Sequence, residues 1–296
     1  MRTALNVLTA ELKRLKASGV KTVSVTAESL DALRRAVAAN GAKLPGESAP
    51  AIVPAVSPAA RPVPVARAAD ASIPPPPAVP LPAGDKPSRW AALRKLVLAD
   101  PTCRSHVRPG KQVVFGVGNI DAQIMFVGEA PGAEEEVQGE PFVGPAGQLL
   151  TRMIGGMGLQ RGDVYIGNIM NWRPELPGQT GGVQYGNRPP TEQEMAYCLP
   201  YLKAQIEVVS PVLLVALGAT AAQGLLGFGS FRALGDVRGR WHEFAGKPLM
   251  ITYHPSYILR NPTNRSKRLI WEDLLKVMEK AALPISEKQR AYFLEK

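Results

Sequence analysis

The chain has 296 residues, room for one sizeable domain and something smaller. Its 35 Lys and Arg outnumber 25 Asp and Glu, and the formal charge of +10 points to a polyanionic partner, nucleic acid first. No stretch approaches the ~18 consecutive apolar residues of a membrane span, and two cysteines, Cys103 and Cys198, make no disulfide framework. Residues 1–20 mix charges into a helical pattern and lack a signal-peptide core, so a cytoplasmic protein without a membrane partner is expected.

In chain order, Leu5, Val7, Leu8, Leu12 and Leu15 approximate one helical face. Thr26-Ala27-Glu28-Ser29 opens a second helix through Ala39, and Lys21-Thr22-Val23-Ser24-Val25 between them suits a short strand. Residues 1–40 are therefore read as a small helical segment, which buries too little surface to be secure alone and whose partner is unidentified. Thirteen of the 28 prolines lie between Pro45 and Pro87, so residues 41–87 are predicted to be a disordered or semi-rigid linker. Such a linker is not expected to pack on the C-terminal domain, which would make residues 1–87 dispensable for chemistry.

Residues 88–296 form the compact domain. Apolar runs predict strands at 124–127, 164–170, 212–217 and 249–253, and helical patterns cover 88–98, 147–157, 191–209, 219–226 and 264–282. This alternation predicts a three-layer α/β/α domain with a central, mainly parallel sheet. Ligands of such sheets bind beyond the carboxyl ends of the strands. Glu129, Asn168 and His254 each lie at or near such an end, so three distant segments are expected to converge on one site.

Two loops carry the chemistry. Gly128-Glu129-Ala130-Pro131-Gly132, followed by Glu135 and then Pro141-Phe142-Val143-Gly144, leaves the first strand. Its glycines and proline permit a tight turn close to a ligand. His254-Pro255-Ser256 closes the last strand. Phe142 offers an aromatic stacking face in the same loop. The Asn168 amide pairs a donor with an acceptor, although an asparagine near a strand end also commonly caps a loop. His254 can stabilise negative charge that develops on a ligand. Glu129 and Glu135 are candidates to position water, and the residues leave open which acts. Glu134 and Glu136 are read as solvated neighbours, and His106 and His242 as structural.

Together these motifs resemble those of the uracil-DNA glycosylase superfamily, and specifically its family-4 branch, over roughly residues 88–283. Val114-Phe115-Gly116-Val117-Gly118-Asn119 and Val215-Ala216-Leu217-Gly218-Ala219-Thr220-Ala221-Ala222 also look like segments of that family. The resemblance implies a monofunctional glycosylase that flips uracil out of DNA, hydrolyses its N-glycosidic bond and leaves an abasic site for base-excision repair. It carries uracil-site roles to Glu129, Ala130, Glu135, Phe142, Asn168 and His254. By that resemblance Phe142 would stack on the flipped pyrimidine, and the Asn168 amide would match the O4 and N3–H edge of uracil and oppose that of cytosine. His254 would stabilise charge on the departing base, and Glu129 or Glu135 would position water or stabilise a cationic sugar. Ala130 stands where the best-known branch has a water-orienting aspartate, implying another route to hydrolysis. No lysine lies in either motif to serve as a lyase nucleophile. In the superfamily a side chain after the second motif wedges into the duplex; Tyr257 or Leu259 could fill that role here. Arg260, Arg265, Lys267 and Arg268 are placed to neutralise phosphates of uracil-containing DNA.

Family 4 typically holds a [4Fe–4S] cluster on four cysteines. Cys198 matches the last ligand and Cys103 the second, which leaves Asp100 at the first and Trp172 at the third. Two thiolates do not make that set, so no cluster and no other cofactor is expected, and Trp172 should fill part of the space. The loop from 174 to 190 looks longer than usual. A monomer is expected. The rival readings are a superfamily glycosylase acting on hypoxanthine or xanthine, and a catalytically silent nucleic-acid-binding homologue.

Overall fold

A computed structural model describes residues 73–176, 184 and 186–294. The helical segment of residues 1–40 and the linker up to residue 72 lie outside the described residues. The chain enters as an extended stretch, and here the linker expectation needs correcting. Ile73 is buried, Val79 and Leu81 pack against the core, and Gln193 Nε2 donates to the Ile73 carbonyl at 3.1 Å. Prolines that hold the chain extended need not keep it off a surface, and three aliphatic side chains among them find one.

Helix α1 (Lys86–Ala99) starts where Asp85 caps the Ser88 amide, and α2 (Pro101–Ser105) follows with Asp100 capping Cys103. Strand β1 (Val117–Gly118) precedes β2 (Ile124–Gly128), after which come α3 (Glu135–Gln138) and α4 (Pro145–Gly156). A single turn at Arg161–Asp163 leads to β3 (Tyr165–Asn168), α5 (Glu192–Val209), β4 (Leu213–Leu217) and α6 (Ala219–Leu226). The chain continues through α7 (Leu234–Val237), β5 (Trp241–Phe244), β6 (Lys247–Thr252), α8 (Ser256–Arg260), α9 (Asn264–Lys280) and α10 (Glu287–Arg290).

The six strands form one mixed sheet in the order β1-β3-β2-β4-β6-β5. Its four inner strands are parallel, and the two short edges, β1 and β5, run antiparallel to their neighbours. Alternation along the strands builds the layers. Met125, Val127, Leu214 and Ala216 face a core with Leu93, Val97, Tyr201 and Ala221 of α1, α5 and α6. Ile124, Phe126, Leu213 and Val215 face the opposite core, with Leu150 and Ile154 of α4 and Ile270, Trp271 and Leu274 of α9. Strands buried on both faces read as continuous apolar runs because neither face meets water. The register sets Gly128 beside Asn168 and Leu217 beside Thr252, so the carboxyl ends of the inner strands finish level.

The last of these ends is braced from below. Asp273 on α9, almost fully buried, accepts from Thr252 Oγ1 at 2.7 Å and from both Nη2 and Nε of Arg238, at 2.9 and 3.2 Å. Burial pushes the Asp273 carboxyl upward, while Thr252 and Arg238 hold it down. The Arg238 guanidinium also lies 5.1 Å from the centre of the Tyr253 ring. Asp273→Ala would leave a largely buried cation unpaired, a situation that costs about 3–5 kcal/mol. We expect a loss of that size in urea unfolding; a loss under about 1 kcal/mol, the worth of an exposed pair, would contradict the brace.

Candidate active site

The first loop is placed by continued pairing beyond β2 and β3: Ile169 N donates to Gly128 O at 3.0 Å and Met170 N to Glu129 O at 3.1 Å. Gly128 is required by close approach. A Cβ there would fall 2.5 Å from the Phe142 ring and closer still to Asn168 Oδ1. Phe142 and Asn168 therefore meet over the end of β2. Asn168 is buried, and its Oδ1 has no hydrogen-bond partner among the described residues. An orphaned buried acceptor costs about 1–3 kcal/mol unless something arrives to pair with it.

His254 joins this pair from β6, its ring centre 5.6 Å from that of Phe142 and tilted by 32°. Ser256 N donates to His254 Nδ1 at 3.2 Å, and Ser256 Oγ lies 2.8 Å from the same atom. An Nδ1 that accepts places the proton of a neutral ring on Nε2. Arg260 Nη1 donates to Ser256 Oγ at 3.2 Å, so that hydroxyl is free to give its own proton to Nδ1. Burial, and then the Arg260 charge, lower the pKa of His254 from 6.5 to about 4. The group is a neutral imidazole at physiological pH.

The two candidate carboxylates differ in what they touch. Burial raises the pKa of Glu129, against a hydrogen bond with Thr220 at the start of α6. Thr220 lies in a segment singled out in the sequence, but nothing there tied it to Glu129. Glu135 is buried, and its Oε1 accepts from Val143 N and Gly144 N, each at 3.0 Å. Ala130 is half-buried and packs against the core beside α1, α5 and α6.

Glu136 does not match its expectation as a solvated neighbour. It is buried and pairs with Arg108 and with Arg173 Nη1, the latter at 2.9 Å. The one-turn helix α3 puts Glu134 outward and folds its next two carboxylates inward, onto a backbone and onto guanidiniums. His106 and His242 are held to backbone carbonyls, of Thr102 at 2.8 Å and Val237 at 2.9 Å.

Beyond His254, Tyr257 stacks on Tyr253 with ring centres 4.3 Å apart, whereas Leu259 is exposed at 46%. Arg260 and Arg265 are exposed. Lys267 lies over the Phe293 ring, and Arg268 is tied to Glu272 and to the carbonyls of Arg290 and Tyr292. Those last two hold the C-terminal segment.

Comparison with known proteins identifies the family. The profile of the Uracil DNA glycosylase superfamily matches residues 115–275, more than half of the chain. The chain belongs to that superfamily. A type-4 uracil-DNA glycosylase of Thermotoga maritima is 44% identical over 165 residues, which are 55% of this chain and 80% of the relative. A type-4 uracil-DNA glycosylase of Pyrobaculum aerophilum is 40% identical over 181 residues, 59% of this chain and 87% of the relative. A type-5 uracil-DNA glycosylase of the same organism is 29% identical over 170 residues, 56% and 73% of the two chains.

The residues at the positions of the family-4 cluster do not fit a [4Fe–4S] group. Cys103 and Cys198 are fully buried and hydrogen-bonded to each other, and that bond and burial push the Cys103 thiol well above its ordinary range. Trp172 is buried and stacks on His106 at 4.8 Å. Asp100 accepts from Cys103 N at 2.6 Å, Tyr201 Oη at 2.7 Å and Tyr197 Oη at 2.9 Å. Burial raises the Asp100 carboxyl, but those hydrogen bonds outweigh it and hold it below the usual value. Two thiols, an indole and an already committed carboxylate do not supply four thiolates.

Proposed function

We propose that the protein is a monofunctional uracil-DNA glycosylase of the type-4 group, and that the pocket over Gly128 receives the flipped base. The observation that carries this is the orphaned Asn168 Oδ1 between the Phe142 ring and the end of β2. Uracil N3–H would donate to that oxygen and O4 would accept from the Asn168 amide nitrogen. Phe142 would stack on the base, and the neutral His254 would donate its Nε2 proton to O2 as charge builds on the leaving ring. Glu129 suits the activation of water, because burial raises its basicity. Leu259, exposed beside the pocket while Tyr257 is held in a stack, suits the wedge that fills the gap left by the base. Arg260 and Arg265 would take phosphates.

Incubating labelled single- and double-stranded uracil-containing oligonucleotides with the protein tests this. We expect alkali-sensitive abasic sites and no strand cleavage before alkali; their absence at high enzyme would refute the activity. We also propose that the protein holds no iron–sulfur cluster, Trp172 and the Cys103–Cys198 pair packing where one would sit. Purified protein should be colourless; a brown protein with about four irons per chain would refute that.

A further inference from the structure

The Phe142 backbone is held in an unusual conformation, with φ at +55°. A bulky residue rarely adopts it, and such strain persists only where the surroundings over-determine it. Three contacts surround it. On the C-terminal side, Glu135 Oε1 accepts from Val143 N and Gly144 N. Beneath, α4 comes so near that a Cβ on Gly147 would overlap the Phe142 carbonyl carbon and oxygen. On the N-terminal side, Arg161 Nη2 donates to the Pro141 carbonyl at 2.6 Å, while its Nη1 reaches Thr151 Oγ1 of α4 at 3.4 Å.

Arg161 is half-buried in the turn before β3, and no motif of the sequence singles it out. Its planar fork spans two acceptors, the carbonyl of the residue before Phe142 and a hydroxyl on the helix beneath. Resting on the uracil-stacking role of Phe142 above, we propose that Arg161 is a positioning residue: it fixes the peptide before Phe142 and so holds the aromatic face at its stacking position. Glu135 makes the opposite jaw of the same clamp through Oε1, which gives that carboxylate a positioning role.

Two readouts test this, the affinity for free uracil measured by calorimetry and the single-turnover excision rate. Both are followed in Phe142→Ala, Arg161→Met and the double variant, with affinity for abasic-site DNA as the control. Misplacement of a contact group by about 1 Å can cost ~100-fold. We expect Arg161→Met to weaken uracil binding and slow excision by about 10- to 100-fold, with abasic-DNA affinity unchanged. In the Phe142→Ala background the same substitution should have no further effect, because no ring remains to be placed. Additive losses in the double variant, or an Arg161→Met protein with wild-type uracil binding, would overturn the positioning role while leaving the stacking role intact. A Phe142→Ala protein with wild-type uracil binding would overturn both. If Arg161→Met does not fold by circular dichroism, Arg161→Lys, which keeps one donor, should show the same coupling at smaller size, and additivity there would equally refute it.

Discussion

Asn168→Asp should abolish most uracil excision. The substitution keeps size and shape but replaces the amide donor by a second acceptor, so O4 of uracil would face a carboxylate oxygen inside a buried site. Sites built to hydrogen-bond a substrate reject a mismatched partner strongly, because buried polar groups are left unpaired. We expect a loss of about 10²–10³-fold or more in single-turnover rate, the scale of removing one pre-placed donor. Burying a carboxylate there also costs stability, so the rate is compared where circular dichroism shows the variant folded. Excision at wild-type rate by this variant would show that the edge of the base is read elsewhere.

His254→Ala should cost a similar factor, and the pH response of the intact residue shows why. The folded-state pKa of about 4 lies below the ordinary 6.5. Between those values the unfolded chain carries the extra proton, so the stability this histidine contributes is fully present above about pH 6.5. It is lost as pH falls toward 4. The function should follow the same group. Protonation puts a hydrogen on Nδ1, opposite the Ser256 amide that already points at it at 3.2 Å, and the ring would have to leave its position. Excision is therefore expected to be independent of His254 ionisation from pH 6 to 8. An NMR titration of the imidazole should show no protonation above pH 6; a midpoint near 6.5 would contradict the neutral donor.

The parts of the fold that could be read from residues are those whose burial leaves a local pattern. The four inner strands are nearly unbroken apolar runs, and their ends fall within a few residues of the expected positions. The edge strands left no such signal. β1 has two residues, too few for any period, and β5 has no buried side chain. Its hairpin turns through Ala245 and Gly246, both at positive φ, and alanine is not a residue that announces such a turn.

Within the site, the motif residues were visible because glycines and a proline mark where the chain must bend around a ligand. Asn168, Phe142 and His254 do meet. The supporting contacts were not visible, because their partners are backbone atoms or side chains distant in sequence. Arg161 holds a carbonyl twenty residues away. Glu136 reads as one more acid in an exposed run, yet it is buried against Arg173, 37 residues on. Thr220 meets Glu129 only because α6 begins beside the first loop.

The most direct measurement of the central claim is a crystal structure of the protein with free uracil. The base should lie over Gly128 with its face on the Phe142 ring, its O4 and N3–H toward the Asn168 amide and its O2 at His254 Nε2. A uracil bound elsewhere, or one in this pocket whose O4 and N3–H edge makes no contact with Asn168, would contradict the account.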